Sequence, residues 1–285
     1  MSSLRRWTEE AGAAAVAGAG MLAFVAPLLS GRRGAALNPA LFVGLLLAAS
    51  AALLGLALYA GRLSTRLLAV LAALSAVDAA LRLVVVVGLW GFSPIFFLML
   101  AAGFALGPGF GFAMGSLTLL LSALLSGGTG PWLPYQMLGA GLVGGGAGFL
   151  GRLTGADTGW FGMTVLAAYS VVAGFAYGLL LDLWEWPFLL ASGSGPLSWV
   201  PGLPARELAH RFLAFYLTTS LVYDAFRAAG NCVLTLLLGA PVVGMLLRFR
   251  RRFLVEWVPA VAGARNMAGY AGSPHPGTTD PARGQ

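Results

Sequence analysis

The sequence predicts an all-α protein that crosses a membrane several times. Hydrophobic residues make up 59% of the 285-residue chain, whereas charged residues make up only 9%. Soluble domains contain about 25% charged residues, so this composition leaves no room for a large soluble domain. The apolar segments are long and unbroken, which favours membrane helices over the alternating pattern of a membrane β-barrel.

Eight apolar segments predict membrane spans, because about 20 such residues cross the hydrocarbon layer. They lie at residues 11–29, 39–60, 67–88, 94–107, 110–126, 134–151, 160–183 and 228–248. Charged residues interrupt residues 207–226 at helical spacing, which predicts an amphipathic or half-inserted helix and leaves open whether it spans. The chain therefore divides into two N-terminal helices (1–61), a six-helix core (62–252) and a tail (253–285). The tail lacks periodicity and is predicted to be a disordered cytoplasmic segment.

The basic residues predict the orientation in the membrane. All 17 are arginines, and they cluster at residues 5–6, 62–66, 152 and 248–252, whereas Arg32 and Arg33 depart from the pattern. Positive charge favours the cytoplasmic side, so both termini are predicted to be cytoplasmic in a multi-pass plasma-membrane protein. Residues 127–133 and 184–204 are then external. We attribute the net charge of +7 to this topology rather than to nucleic acid.

Glycines dominate the middle of the core, at residues 103–151. Gly103, Gly107, Gly111 and Gly115 recur at every fourth position, a spacing that lets membrane helices approach backbone to backbone. Tight packing alone accounts for most of these glycines. The turn at residues 127–136 differs, because it places two prolines, Trp132, Tyr135 and Gln136 at a predicted membrane boundary.

Three motifs in this order resemble the substrate-specific S component of energy-coupling factor (ECF) vitamin transporters. They are Gly103-x-x-x-Gly107-Pro-x-x-Gly111-x-x-x-Gly115, Leu-Thr-Leu-Leu-Leu-Ser from Leu117 to Ser122, and Gly130-Pro-Trp-x-Pro-x-Gln-Met. The resemblance covers about residues 65–250. It implies capture of a vitamin or related micronutrient without a cofactor, with cobalamin as the first guess. It also implies transport with a separate transmembrane coupling (T) subunit and two ABC ATPase subunits.

The same resemblance suggests a docking face for the coupling subunit. In S components an alanine-rich face on the first core helix contacts that subunit. The matching positions here are Ala69, Ala73, Ala76 and Ala80. Intramolecular packing is the alternative for this stripe.

Polar residues within or beside the apolar segments are candidates for a substrate site. Asp78 and Arg82 are four residues apart, a spacing that favours an ion pair along a helix. Either the two charges neutralise each other and Arg82 extends outward, or Arg82 faces a substrate cavity. Asp224, Arg227 and Asn231 share one helical face, which lines either the same cavity or the lipid headgroups. We predict one external, mainly apolar cavity. Its substrate-binding residues would be Arg82, Trp90, Trp132, Tyr135, Gln136, Asp224, Arg227 and Asn231.

Catalytic and metal-binding patterns are missing from the sequence. The chain has no lysine, which excludes a P-loop ATPase. Cys232 is the only cysteine, and His210 and His275 stand apart, so neither a disulfide nor a metal cluster is expected. We therefore predict a protein that is not an enzyme. A self-sufficient secondary transporter is the main alternative; an enzyme for lipid-linked substrates and a structural subunit are two others.

Overall fold

The computed structural model describes residues 65–86, 95–189 and 195–253, and within these ranges the chain is all-helical, as predicted. The helices are α1 (Thr65–Val86), α2 (Phe96–Leu106), α3 (Pro108–Ser126), α4 (Leu133–Leu153), α5 (Trp160–Leu189), α6 (Ala205–Thr219) and α7 (Leu221–Phe253). The two predicted N-terminal spans, the turn with Trp90, and the tail from residue 254 lie outside the described residues.

Three of these helices are long and apolar enough to cross a membrane. They are Pro108–Ser126, Trp160–Pro187 and Leu221–Arg252. The composition and these helices together indicate a membrane protein, whereas the full number of crossings stays a prediction. The segment predicted as a span at residues 94–107 is helical, but α2 has only 11 residues. At 1.5 Å per residue it is about 16 Å long, roughly half the hydrocarbon thickness, so the prediction of a full span there is wrong.

The short helix α2 lies in the centre of the bundle. Phe96, Met99 and Leu100 are fully buried, and Phe104 is 1% exposed. Gly107 then turns the chain directly into α3, with a φ of 104° that favours glycine. Pro108 occupies the first turn of α3, where its missing N–H costs no helical hydrogen bond.

Glycines bring α3 and α4 into backbone contact. A Cβ atom at Gly111 would overlap the carbonyl group of Gly144, and one at Gly144 would overlap the carbonyl group of Gly111. Gly103 of α2 meets the same carbonyl oxygen of Gly144. The glycines at four-residue spacing thus pack helices of this chain against one another, which agrees with tight packing as their main role.

The helix directions define two ends of the bundle. α5 and α7 run antiparallel, because Gly178 adjoins Asp224 while Gly239 adjoins Met163. α1 and α3 run parallel, because Asp78 bonds to Thr118 and Arg82 to Ser122. One end, here called the arginine end, contains residues 65–66, 152–158 and 247–253. The opposite end, here called the aromatic end, contains residues 127–135, 184–189 and 195–224.

Charge is distributed unequally between these ends. Within the described residues, the arginine end contains the following basic side chains: Arg66, Arg152, Arg248, Arg250, Arg251 and Arg252. Asp157 is the one acid among the described residues there. The predicted cytoplasmic segments thus group at one end and the predicted external segments at the other, as the proposed topology requires. The membrane side that each end faces stays a prediction.

The boundary between the last two helices differs from the predicted one. The sequence predicted one helix at 207–226 and a span at 228–248, whereas α6 ends at Thr219 and α7 runs unbroken from Leu221. The hydroxyl groups of Thr218 and Thr219 donate hydrogen bonds to the carbonyl oxygens of Ala214 and Phe215, four residues earlier. Such side-chain bonds compete with the backbone hydrogen bonds of the helix and favour its end here. Consequently Asp224, Arg227 and Asn231 all belong to α7. The amphipathic prediction holds for α6, in which Phe215 is the buried residue.

Candidate functional site

A group of charged and aromatic side chains lies between α2, α5, α6 and α7 at the aromatic end. We call it the Arg227 cluster; its members are Phe96, Tyr177, Asp182, Glu185, Tyr216, Asp224 and Arg227. Arg227 forms an ion pair with Asp224, whose side chain is only 2% exposed. The guanidinium group lies 6.0 Å from the ring centre of Phe96 and 5.2 Å from that of Tyr177. Both distances suit cation–π attraction.

Glycines on α5 make room for this ion pair. A Cβ atom at Gly178 would overlap the carboxylate group of Asp224. Four residues earlier, the carbonyl oxygen of Gly174 accepts a hydrogen bond from Nη1 of Arg227 at 3.4 Å. Gly174 and Gly178 thus form a small-xxx-small pair. Because they have no side chains, Asp224 and Arg227 of α7 pack directly against the backbone of α5.

Tyr216 of α6 completes the surroundings of Asp224. Its hydroxyl group donates to Oδ2 of Asp224 at 3.1 Å. Burial, together with the negative charge and hydrogen bond of Asp224, raises the pKa of Tyr216 to about 12. The phenol therefore stays protonated at physiological pH and holds α6 against α7. Both carboxylate oxygens of Asp224 therefore accept hydrogen bonds from the protein, Oδ1 from Arg227 and Oδ2 from Tyr216.

Two further acids of α5 lie beside this ion pair. Asp182 is 5% exposed and interacts with the hydroxyl group of Ser220. Its Oδ2 atom is buried and has no hydrogen-bond partner among the described residues. Glu185 follows one turn later and is half-buried. In the described part of the chain, no three histidine, cysteine or acidic side chains group closely enough to hold a metal ion.

Arg82 approaches the same cluster from α1. It lies within electrostatic range of Tyr177, as do Arg227, Asp224 and Glu185. Nη1 of Arg82 donates to Oγ of Ser122 at 3.1 Å. Asp78, one turn earlier, accepts from the hydroxyl group of Thr118 at 3.2 Å. Arg82 is therefore directed towards α3, and whether it faces a substrate cavity stays a prediction.

The predicted turn between α3 and α4 divides its aromatic side chains between two environments. Tyr135 is buried and stacks on Trp184, with ring centres 4.5 Å apart and planes inclined by 28°. Trp132 is 39% exposed, packs on Gly130, and donates from Nε1 to the carbonyl oxygen of Gly128 at 3.3 Å. Tyr135 thus joins α4 to α5, whereas Trp132 closes the turn at the surface.

A fixed loop covers α6 at the same end. Trp186 and Trp199 pack with Phe215 in a small buried cluster. Nε1 of Trp186 donates to the carbonyl oxygen of Leu197 at 2.8 Å, and Nη1 of Arg211 donates to that of Ser198 at 3.3 Å. Between the loop and α6 lies a surface depression of about 610 Å³, lined by Pro196, Pro204, Arg206, Glu207, His210 and Arg211. Trp186 and Trp199 therefore anchor this loop to α6.

The structure brings together only part of the predicted site. Asp224 and Arg227 form an ion pair beside Tyr177, and the charge of Arg82 acts on the same phenol from α1. Asn231 lies one turn further along α7 and donates from Nδ2 to the carbonyl oxygen of Arg227 at 2.8 Å. Trp132 and Gln136 are on the surface turn and the first turn of α4, outside the Arg227 cluster. Trp90 lies outside the described residues.

Five residues of the Arg227 cluster were missed by reasoning from the sequence: Phe96, Tyr177, Asp182, Glu185 and Tyr216. A signal for two of them was available, since Asp182 and Glu185 interrupt an apolar segment and acids in membrane helices mark functional sites. Tyr177 also lies within Gly174-Phe-Ala-Tyr-Gly178, a small-xxx-small pair. No comparable feature of the sequence indicates that Tyr216 belongs to the cluster.

The alanine stripe of α1 faces away from the described bundle. Ala69, Ala73, Ala76 and Ala80 are all exposed. The opposite face of the helix, with Leu71, Ser75 and Asp78, is buried against α3. Packing within the described residues therefore does not explain the stripe.

These features define a helical membrane protein with a buried cluster of charges at one end. Comparison with known proteins gives no match, because no protein-family model, no curated protein and no solved structure is significantly similar to the chain. The resemblance to ECF S components rests on the sequence motifs and stays a proposal.

Proposed function

We propose that the chain is the membrane-embedded substrate-binding (S) subunit of an ECF-type ABC importer, which captures a vitamin or related micronutrient. The observation that carries the proposal is the Arg227 cluster, at the end opposite the arginines. Buried charges in a membrane helix are costly and usually serve a substrate or ion path. An external binding site is expected at that end in the predicted topology. The three sequence motifs supply the link to S components.

The chemistry at the aromatic end suits a small, polar, ring-containing solute. The Arg227 cluster combines rings with charge: the rings of Phe96 and Tyr177 face the guanidinium group of Arg227, and Asp182 has a buried carboxylate oxygen without a hydrogen-bond partner among the described residues. A pocket of apolar walls with few oriented polar groups is the usual form of a small-molecule site. The proposed binding residues remain Arg82, Trp90, Trp132, Tyr135, Gln136, Asp224, Arg227 and Asn231, to which we now add Tyr177 and Asp182.

Substitution of single polar groups tests this assignment. We expect Gln136→Ala and Asn231→Ala to weaken binding roughly ten- to hundredfold, because loss of one buried polar partner costs about 1–3 kcal/mol. His275→Ala, in the predicted tail, should bind like wild type. The measurement is titration of each purified variant with the small molecule that co-purifies with the wild-type chain. Wild-type affinity in both Gln136→Ala and Asn231→Ala, with the fold intact, would place the site elsewhere.

The alanine stripe gives a separate expectation for partner binding. A bulky residue on this exposed face should block assembly with the coupling subunit, because it prevents close approach of two helices. We expect Ala73→Trp to lose the coupling subunit in a pull-down while keeping the affinity for the solute. Leu81→Trp, on an exposed position of α1 further round the helix from the stripe, is the control. Equal assembly of Ala73→Trp and wild type would contradict the docking role.

A self-sufficient secondary transporter is the second candidate. The short helix α2 favours it, because transporters of this kind use interrupted helices that end inside the membrane. Phe96, the first residue of α2, is completely buried beside Arg227. Uptake assays in cells with and without the ATPase subunits separate the two candidates. Uptake that stops without the ATPases supports the importer, whereas uptake that follows an ion gradient alone supports the secondary transporter.

A further inference from the structure

The arginine end contains a depression that the proposed transport function does not use. It lies between the α4–α5 loop and the last turns of α7 and has a volume of about 850 Å³. Its lining residues are Gly155, Ala156, Asp157, Thr158, Leu247, Arg250 and Arg251.

Arginine side chains give this depression its charge. Nη1 of Arg250 donates to the carbonyl oxygen of Ala105 at 3.0 Å, at the C-terminal end of α2, which fixes the guanidinium group beside the bundle. Arg251 is exposed next to it. A guanidinium group has five N–H donors, so the single bond to Ala105 leaves most of the Arg250 fork for a ligand.

One acid lines the same depression, but its charge is engaged in the fold. The carboxylate oxygens of Asp157 accept hydrogen bonds from the N–H groups of Gly159 at 2.9 Å and Gly162 at 3.2 Å. Asp157 thus caps the N-terminal turn of α5, where a negative charge is stabilised. Two arginines, Arg250 and Arg251, thus face this single acid, so the depression is positive overall.

The loop that forms the other wall has a defined shape. Gly155 and Ala156 both adopt left-handed backbone conformations, with φ of 67° and 53°. This conformation is uncommon for alanine. It is held by a hydrogen bond from the N–H group of Ala156 to the carbonyl oxygen of Gly151 at 2.6 Å, and Ala156 itself is buried. Thr158, two residues after Ala156, also lines the depression and offers a hydroxyl group there.

Aromatic residues mark the level of this depression in the membrane. Trp160 and Phe161 follow the loop directly and are 82% and 67% exposed. Exposed aromatic side chains at a helix end are typical of the layer of lipid headgroups. The depression thus lies at the level where lipid phosphate groups are found.

We propose that this depression binds an anionic phosphate group, with Arg250 and Arg251 as its ligands and Thr158 as an additional donor. Guanidinium groups bind phosphate through paired charge-assisted hydrogen bonds, which suits two neighbouring arginines. The phosphate belongs either to the headgroup of an anionic lipid or to a free phosphate ion. Basic pockets between membrane helices on the cytoplasmic side are suited to the former.

Native mass spectrometry of the full-length chain, purified in detergent, tests the proposal. The probes are phosphatidylglycerol, phosphatidylcholine and inorganic phosphate. We expect the wild type to retain phosphatidylglycerol over phosphatidylcholine, and Arg251→Gln to weaken this binding roughly tenfold. Arg248→Gln removes the same charge from the same helix outside the depression, and we expect at most a slight change.

Competition distinguishes the two sources of phosphate. Retained phosphatidylglycerol that millimolar inorganic phosphate does not displace indicates a lipid site, whereas displacement indicates a site for phosphate itself. Either result supports the proposal if the binding is lost in Arg251→Gln. Because Arg250→Gln also breaks the contact with Ala105, Arg251→Gln and Thr158→Ala are the deciding variants. Phosphatidylglycerol binding that is unchanged in both Arg251→Gln and Thr158→Ala, or equal retention of phosphatidylglycerol and phosphatidylcholine by the wild type, would overturn it.

Discussion

Gly144→Ala is expected to destabilise the protein by about 3 kcal/mol, although it adds a single methyl group. The new Cβ atom would overlap the carbonyl group of Gly111, which belongs to the backbone of α3 and cannot rotate away. The two helices must therefore separate, and the contacts along the whole α3–α4 interface weaken together. The measurement is the free energy of unfolding of the purified chain in mixed micelles.

Gly109→Ala is the matched control for this prediction. It is the same substitution in a helix of the same interface, but a Cβ atom there meets nothing within 4 Å. Alanine is the better helix former, so Gly109→Ala should be neutral or stabilise by up to about 1 kcal/mol. The Gly111→Ala/Gly144→Ala double variant should cost less than the two single changes added, because one separation of the helices relieves both overlaps. Equal stability of Gly144→Ala and Gly109→Ala would contradict the backbone contact.

Asp224→Ala is expected to cost about 3–5 kcal/mol, because it leaves the charge of Arg227 partly buried without its ion-pair partner. Arg227 would keep its contacts with the rings of Phe96 and Tyr177 but lose the carboxylate group. Tyr216 would lose its acceptor as well, so α6 should loosen. Thermal unfolding of the detergent-purified variants measures the loss.

An exposed ion pair in the neighbouring helix provides the comparison. Glu207 and Arg211 are 2.9 Å apart, with side chains 49% and 25% exposed. Such surface pairs contribute about 0–1 kcal/mol, so Glu207→Ala should have little effect. The double variant Asp224→Leu/Arg227→Leu should be less destabilised than Asp224→Ala, since no unpaired charge remains. If Asp224→Ala and Glu207→Ala cost the same, the Arg227 cluster does not hold the bundle together.

The sequence predicted most helices to within a few residues, for local reasons. The segments at 110–126 and 134–151 correspond to α3 and α4, because Pro108, Gly127 and Pro134 mark their boundaries. The end of α6 at Thr219 escaped prediction, since neither glycine nor proline marks it. The short length of α2 was already visible in the sequence, because Pro94 and Pro108 bound the segment predicted at 94–107.

The candidate site was predicted less completely, because it depends on which helices meet. Helical spacing alone placed Asp224, Arg227 and Asn231 on one face, and the hydrogen bond from Asn231 to Arg227 agrees. By contrast, the approach of Tyr177 and Tyr216 to Asp224 and Arg227 follows from the packing of α5 and α6 on α7. No spacing within one helix carries that information. The packing itself depends on Gly178, whose role appears only when Asp224 is seen against it.

The central claim, that the chain alone captures a micronutrient, is tested most directly by identifying what the purified protein carries. Full-length chain is purified in detergent without ATPase subunits, heat-denatured, and the released small molecules are identified by mass spectrometry. We expect a stoichiometric amount of one ring-containing micronutrient from the wild type and much less from Gln136→Ala. Wild-type protein that releases no small molecule beyond lipid, and binds no vitamin when titrated, would contradict the claim.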